Sequence, residues 1–199
     1  MITLKRFRKL EEHVREAGYG EVIDWTEAVQ APASADAFAE QAIYVICNSG
    51  MNNRVAQIIH DRCMGALKQG SSATTVFRHP GKASAIDQIW ERREELFAAY
   101  SEAADKLEYC ALLPWIGPVT KHHLSKNFGM NTAKPDVHME RLAKRDRCST
   151  QTLCRRLARK TGYRVATIDT ILWRACADGY LDSRRYEHQG WRAAYKGGF

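Results

Sequence analysis

The sequence predicts an all-α fold. Apolar residues recur at helical spacing along nearly the whole chain, and no alternating stretch of strand length interrupts them. Helix-start and helix-stop residues punctuate the apolar runs at intervals that suit helices. With 199 residues the chain can bury most of its apolar surface, as one domain or as one core with a split second lobe.

The elements follow in order. A first helix is expected from Leu4 to Ala17, ending at Gly18 and Gly20, and a short one from Val22 to Val29 before Pro32. Ser34 then caps a third, whose Phe38, Ala42, Ile43, Val45 and Ile46 share a face. Residues 48–53 break it, and a fourth helix continues from Asn52 to Gln69. Residues 69–80 are polar and read as a loop with one turn of helix. Ile86, Ile89, Trp90, Leu96 and Phe97 mark one long amphipathic helix from Lys82 to Tyr100, followed by a helix from Ser101 to Leu113. A further helix runs from Pro118 to Phe128 and stops at Gly129. Helices then cover Asp136 to Arg145, Ser149 to Lys160 and Val165 to Gly179. The tail from Ser183 to Phe199 reads equally as an ordered cap or a loose basic arm.

Charge is unevenly spread. The formal total is +7, but residues 1–140 hold 16 Lys/Arg against 18 Asp/Glu whereas residues 141–199 hold 14 against 5. A basic C-terminal third suits a phosphate backbone, since neutralising phosphates releases counterions. The same charge also fits a solvated basic face. No run of about 18 apolar residues exists, and the amphipathic N-terminus does not read as a signal peptide, so the expectation is a cytoplasmic protein without a membrane partner. Cys47, Cys63, Cys110, Cys148, Cys154 and Cys176 form no Cys-x-x-Cys pair, so reduced thiols are expected, with neither zinc nor an iron-sulfur cluster.

Two motifs between residues 107 and 145 make joint sense. Leu113-Pro114-Trp115-Ile116-Gly117-Pro118 ends one helical pattern and begins another. Downstream, Pro135 in Lys134-Pro135-Asp136-Val137-His138-Met139 biases Lys134 away from the α region and puts Asp136 in the first turn of a new helix. In this order and separation the pair resembles the helix-hairpin-helix DNA glycosylases with a Gly/Pro-rich loop and an essential aspartate. That superfamily includes endonuclease III and the adenine and 3-methyladenine glycosylases. The resemblance implies a two-lobed helical fold, with residues 1–34 and 136–199 as the first lobe and residues 35–135 as a helical barrel lobe. The hairpin would lie in residues 103–129 and Asp136 in the cleft between the lobes.

The resemblance also assigns roles. Asp136 is the expected catalytic residue, its carboxylate stabilising an oxocarbenium-like sugar and orienting the attacking water. DNA contacts are expected from Trp115, Gly117, Val119, Thr120 and Lys121 on the hairpin and from Lys134 beside Asp136. Met51 or Asn52, in the break after the third helix, is the expected wedge, and Tyr19, Trp25, Tyr44 and Asn48 are the expected pocket residues for a flipped base. The family usually has glycine where this chain has Trp115, which is expected to pack inward. Bifunctional relatives carry a nucleophilic lysine where this chain has Val119. Lys121 lies two residues on, about 200° around the helix from that position. A monofunctional enzyme that leaves an abasic site is therefore expected, acting as a monomer on double-stranded DNA without a cofactor. Relatives hold a monovalent cation at the hairpin through main-chain carbonyls, which the chemistry does not require.

The base itself stays open. A hypermodified phage base such as glucosylated hydroxymethylcytosine, removed in antiviral defence, and a damaged base in excision repair fit equally. Two readings compete with the enzyme: a non-catalytic helix-hairpin-helix DNA-binding module, and a basic helical scaffold or RNA-binding protein.

Overall fold

A computed structural model describes residues 1–196 of the chain, and among these the regular elements are helices, with a single isolated antiparallel bridge from Leu181 to Tyr195. The all-α expectation holds. The chain divides into two compact units, one built from Met1–Val29 with Gly129–Phe199 and the other from Gln30–Phe128.

The flanking unit starts with helix α1 (Leu4–Val14), capped by the Thr3 side chain and burying Phe7, Leu10 and Val14 along one stripe. It stops short of Ala17 because Gly18 adopts φ +89°, a left-handed conformation that turns Arg15–Tyr19 into a π-type kink before α2 (Gly20–Ala28). Helix α9 (Val137–Arg145) and helix α10 (Thr150–Thr161) lead to α11 (Val165–Ala177), which packs on α1, α2, α9 and α10. Ile168, Ile171 and Leu172 of α11 are fully buried, which makes this helix the centre of the unit.

Two polar nodes fasten this unit. The Asp146 carboxylate is buried and accepts hydrogen bonds from Ile2 N–H at 2.9 Å, Arg156 Nη2 at 2.6 Å and the Tyr186 hydroxyl at 2.7 Å, joining the two ends of the discontinuous unit. Arg164 is the second node. Its Nη1 donates to the carbonyls of Thr26 at 3.1 Å and Val29 at 3.2 Å, and its Nη2 donates to that of Gly129. Both places where the chain leaves and re-enters the unit are thus held by one guanidinium.

The described part of the tail, residues 183–196, is folded. Helix α12 (Ser183–Gln189) packs on α9, and α13 (Trp191–Ala194) follows it. The Tyr195 hydroxyl pairs with His13 Nε2 at 2.6 Å, the Tyr195 ring stacks on Trp191 at 4.6 Å, and Arg6 lies over the Trp191 ring at 5.3 Å. Residues 197–199 of the expected cap or arm lie outside the described residues.

The middle unit is built on α3 (Ala35–Asn48), whose predicted face of Phe38, Ala42, Ile43, Val45 and Ile46 is fully buried. Helix α4 (Asn53–Lys68) packs on it, and the polar stretch that follows contains one 3₁₀ turn at Ala73–Thr75. The single helix expected from Lys82 to Tyr100 is two, α5 (Pro80–Glu91) and α6 (Arg93–Glu102), broken at Arg92 without Gly or Pro. Helix α7 (Lys106–Cys110) is much shorter than the expected Ser101–Leu113, because Asp105 caps it late and its hydrogen-bond ladder gives way to turns after Cys110. Helix α8 (Thr120–Asn127) starts two residues later than Pro118.

Candidate functional site

The hairpin joins α7 to α8. The Gly117 N–H does not face outward, because it donates to the Thr120 hydroxyl oxygen at 2.7 Å. At the start of α8 the backbone N–H groups of Val119 and Thr120 have no partner among the described residues, as is also true of the Trp115 N–H within the turn. Two such donors at a helix start are suited to an anion. The Gly117 carbonyl already accepts Lys121 N–H at 2.9 Å and the Thr120 hydroxyl at 3.2 Å, so it has no lone pair left for a cation.

Trp115 does not pack inward. It is 46% exposed and adopts φ +64°, the left-handed region that glycine enters without strain. Its indole lies over Gly81, where an added Cβ would come within 2.5 Å of the ring, and meets the His79 ring edge-on at 5.3 Å. His79 also lines an open groove of about 810 Å³ together with Arg62 and Arg78, neither of which has an ion-pair partner among the described residues. Lys121 is not a loose cation, since its Nζ pairs with Glu108 Oε1 at 2.6 Å across the hairpin. Val119 is exposed.

The break between α3 and α4 is tightly built. Met51 N–H donates to the Asn48 carbonyl at 3.1 Å, Asn52 caps α4, and the buried Lys82 Nζ donates to the Ser49 carbonyl at 2.5 Å. Burial pushes the Lys82 ammonium below its ordinary value. Met51 packs half-buried against the middle unit's core, whereas Asn52 is exposed. Of the expected pocket residues, Tyr44 and Asn48 meet through Asn53: the Tyr44 hydroxyl donates to Asn53 Oδ1 at 2.6 Å and Asn48 Nδ2 reaches the same oxygen at 3.1 Å. The rings of His60 and His123 approach Tyr44 edge-on at 5.6 and 6.3 Å. Asn53, His60 and His123 were not singled out by sequence, since they are brought to Tyr44 only by the packing of α3 with α4 and α8.

The carboxylate lies in the flanking unit. Asp136 is the N-cap of α9 rather than a residue of its first turn, and its Oδ1 accepts the His138 N–H at 3.0 Å and the Met139 N–H at 3.1 Å. Its Oδ2 has no hydrogen-bond partner among the described residues, and the residue is half-buried. His138 is committed elsewhere, its Nδ1 paired with the Ser183 hydroxyl at 2.9 Å. Burial first, and then the charges of Asp136 and Asp182, push the nearby Cys176 thiol up to about 12. Lys134 is half-buried and its backbone N–H donates to the buried Asp169 at 3.2 Å. Of the two remaining pocket expectations, Tyr19 is half-buried with Arg174 stacked 4.1 Å from its ring, and Trp25 is 46% exposed on α2. Neither belongs to the Tyr44 cluster, which lies wholly in the middle unit.

None of the six cysteines is in a disulfide, five are buried, and among the described residues no group of three His, Cys, Asp or Glu side chains could hold a metal ion. No helix of the described residues is long and apolar enough to cross a membrane. No family model, curated protein or solved structure matches the chain.

Proposed function

We propose that this protein is a monofunctional DNA glycosylase of helix-hairpin-helix type, two-lobed like the superfamily its motifs resemble. It takes one base out of double-stranded DNA and hydrolyses its N-glycosidic bond. The observation that carries the reading is the half-used carboxylate of Asp136: one oxygen is fixed by two backbone N–H groups at the start of α9 while the other is unpartnered. A cap alone needs only the first. The free oxygen suits a group that must face a sugar as positive charge grows at its anomeric carbon, or accept a proton from the attacking water. The hairpin supplies the complementary function. The Val119 and Thr120 N–H groups at the start of α8 would hold a backbone phosphate, with Trp115 beside them. Arg62 and Arg78 would meet a further stretch of backbone. Without a lysine at Val119 and with Lys121 paired to Glu108, the chain lacks a nucleophile for strand nicking there. The substrate is either a hypermodified phage base, removed in defence, or a damaged base removed in repair.

The reading that competes is a non-catalytic DNA-binding module, favoured by the use of Asp136 Oδ1 as an ordinary helix cap. One variant separates the two. Asn caps a helix about as well as Asp, so Asp136→Asn keeps the fold. On unmodified, alkylated, oxidised and glucosyl-hydroxymethylcytosine DNA, with released bases read by mass spectrometry, the enzyme releases one base and the variant releases none while binding DNA equally. Equal behaviour of both proteins, with binding and no release, would establish the module.

A further inference from the structure

The groove beside the hairpin has two kinds of lining that a single partner must satisfy together. It encloses about 810 Å³, and Ile59, Val76 and Phe77 line it along with Arg62, Arg78 and His79. No acidic side chain lines it, and Arg62 and Arg78 are exposed without an ion-pair or hydrogen-bond partner among the described residues. Two free guanidinium groups suit phosphates. The apolar wall suits something else, because a phosphate set against Phe77 and Ile59 would lose water and gain no hydrogen bond. A nucleotide meets both needs, with charge on its phosphate and a flat π-face on its base.

Trp115 extends this surface. His79 Nδ1 accepts the Lys82 N–H at 3.3 Å, which holds the His79 ring at the start of α5, and Trp115 meets that ring edge-on at 5.3 Å. The turn Leu113-Pro114-Trp115-Ile116 is closed by the Ile116 N–H on the Leu113 carbonyl at 3.1 Å, with Pro114 second and Trp115 third. The third place of a type II turn needs positive φ and ordinarily takes Gly or Asn. Here it holds an indole at φ +64°, 46% exposed. Residues kept in such strain gather at functional sites, and an aromatic ring is the surface on which unpaired bases stack.

We infer that Trp115 and the groove hold an unpaired stretch of a DNA strand, one base stacked on the indole and the neighbouring phosphates on Arg62 and Arg78. A fully paired strand can bring its phosphates to the arginines and its sugars to the indole. It cannot bring a base face, since its bases are already stacked on one another. The inference goes beyond the glycosylase reading and makes no use of Asp136, because Arg62, Arg78, His79 and Trp115 all belong to the middle unit.

The test uses the full chain and two duplexes that differ only in a short single-stranded tail, of thymidines in one and of abasic nucleotides in the other. The abasic tail keeps the phosphates and lacks the bases. By anisotropy the wild-type protein binds the thymidine tail about tenfold more tightly, within the worth of stacking one base on an aromatic side chain. Trp115→Gly, which suits the turn, brings that ratio below about twofold. Trp115→Leu keeps an apolar side chain at the same φ without a flat ring and does the same, so a folding defect in one variant leaves the other to be read. Replacing Arg62 and Arg78 together by Ala weakens binding of both tailed duplexes and keeps the ratio, because the phosphates are common to both. Equal wild-type affinity for the two tails, an unchanged ratio in a folded Trp115 variant, or tail binding that survives loss of both arginines overturns the inference. Base release is scored apart from the ratio: release without the ratio removes the stacking site and keeps the glycosylase, and the ratio without release does the reverse.

Discussion

Asp146 shows how one side chain can be both buried and charged. Burial alone would push its carboxyl up, but hydrogen bonds from Tyr186, Arg156 and the Ile2 N–H, with the N-terminal ammonium 3.6 Å away, hold it below the ordinary carboxylate value. A folded value below the unfolded one, which is near 3.9, places the sign: the stabilisation is fully present above about pH 4 and disappears as pH falls through the lower folded value. Asp146→Asn leaves Arg156 facing no charge and should cost about 3 kcal/mol near neutrality. In urea titrations from pH 7 down to pH 2 the gap between wild type and variant should narrow with acid, and a gap that stayed constant would show that the charge is not what stabilises. The pairing of Asp146 with Ile2 and Tyr186 was invisible in sequence because it spans 144 residues in one direction and 40 in the other. Asp136 was legible, because a carboxylate just after Pro135 has few places to go but a helix start. Its free oxygen was not, since that depends on which neighbours stay away.

At the scale of elements, the hairpin makes two separable predictions. A residue at φ +64° carries strain of about 1 kcal/mol that glycine does not. Trp115→Gly relieves it and gives up the contacts with Gly81 and His79, so its melting temperature should stay close to that of the wild type. Duplex affinity should fall several-fold with the same dependence on salt, as an uncharged contact requires. Replacing Arg62 and Arg78 together by Ala does the opposite: the slope of log affinity against log salt should flatten by about 2. An unchanged slope would remove the groove from the DNA path. The helices themselves were largely readable, since a buried stripe such as Phe7, Leu10 and Val14 is written directly in the periodicity. The break at Gly18 was readable from its glycine, but two others were not: the division at Arg92 and the short α7. At Arg92 no Gly or Pro announces the break, and a helix that stops for tertiary reasons has no local signature. The Tyr44 cluster was half legible, because periodicity finds the residues of one helix face but not which second helix meets it.

For the whole molecule the informative residue is Arg164. Its guanidinium gathers carbonyls from Thr26, Val29 and Gly129, and its backbone N–H donates to Glu27 at 3.1 Å. Arg164→Ala should cost about 2–3 kcal/mol, as loss of several hydrogen bonds to a charged group does. Limited proteolysis of the variant should open new cuts near residues 29–31 and 128–131 together, because one side chain ties both strands; cutting at only one would show that they are held independently. The same arrangement sets a schedule for synthesis. Residues 30–128 form one unit that is continuous in sequence, so the middle unit can begin to fold on the ribosome once the chain has grown past Phe128. The first 29 residues cannot. Helix α1 must wait, its Phe7, Leu10 and Val14 uncovered, until α11 has been made more than 150 residues later. During that interval the nascent chain carries a folded middle and a sticky beginning, and any holdase that serves this protein has its target in the first 14 residues.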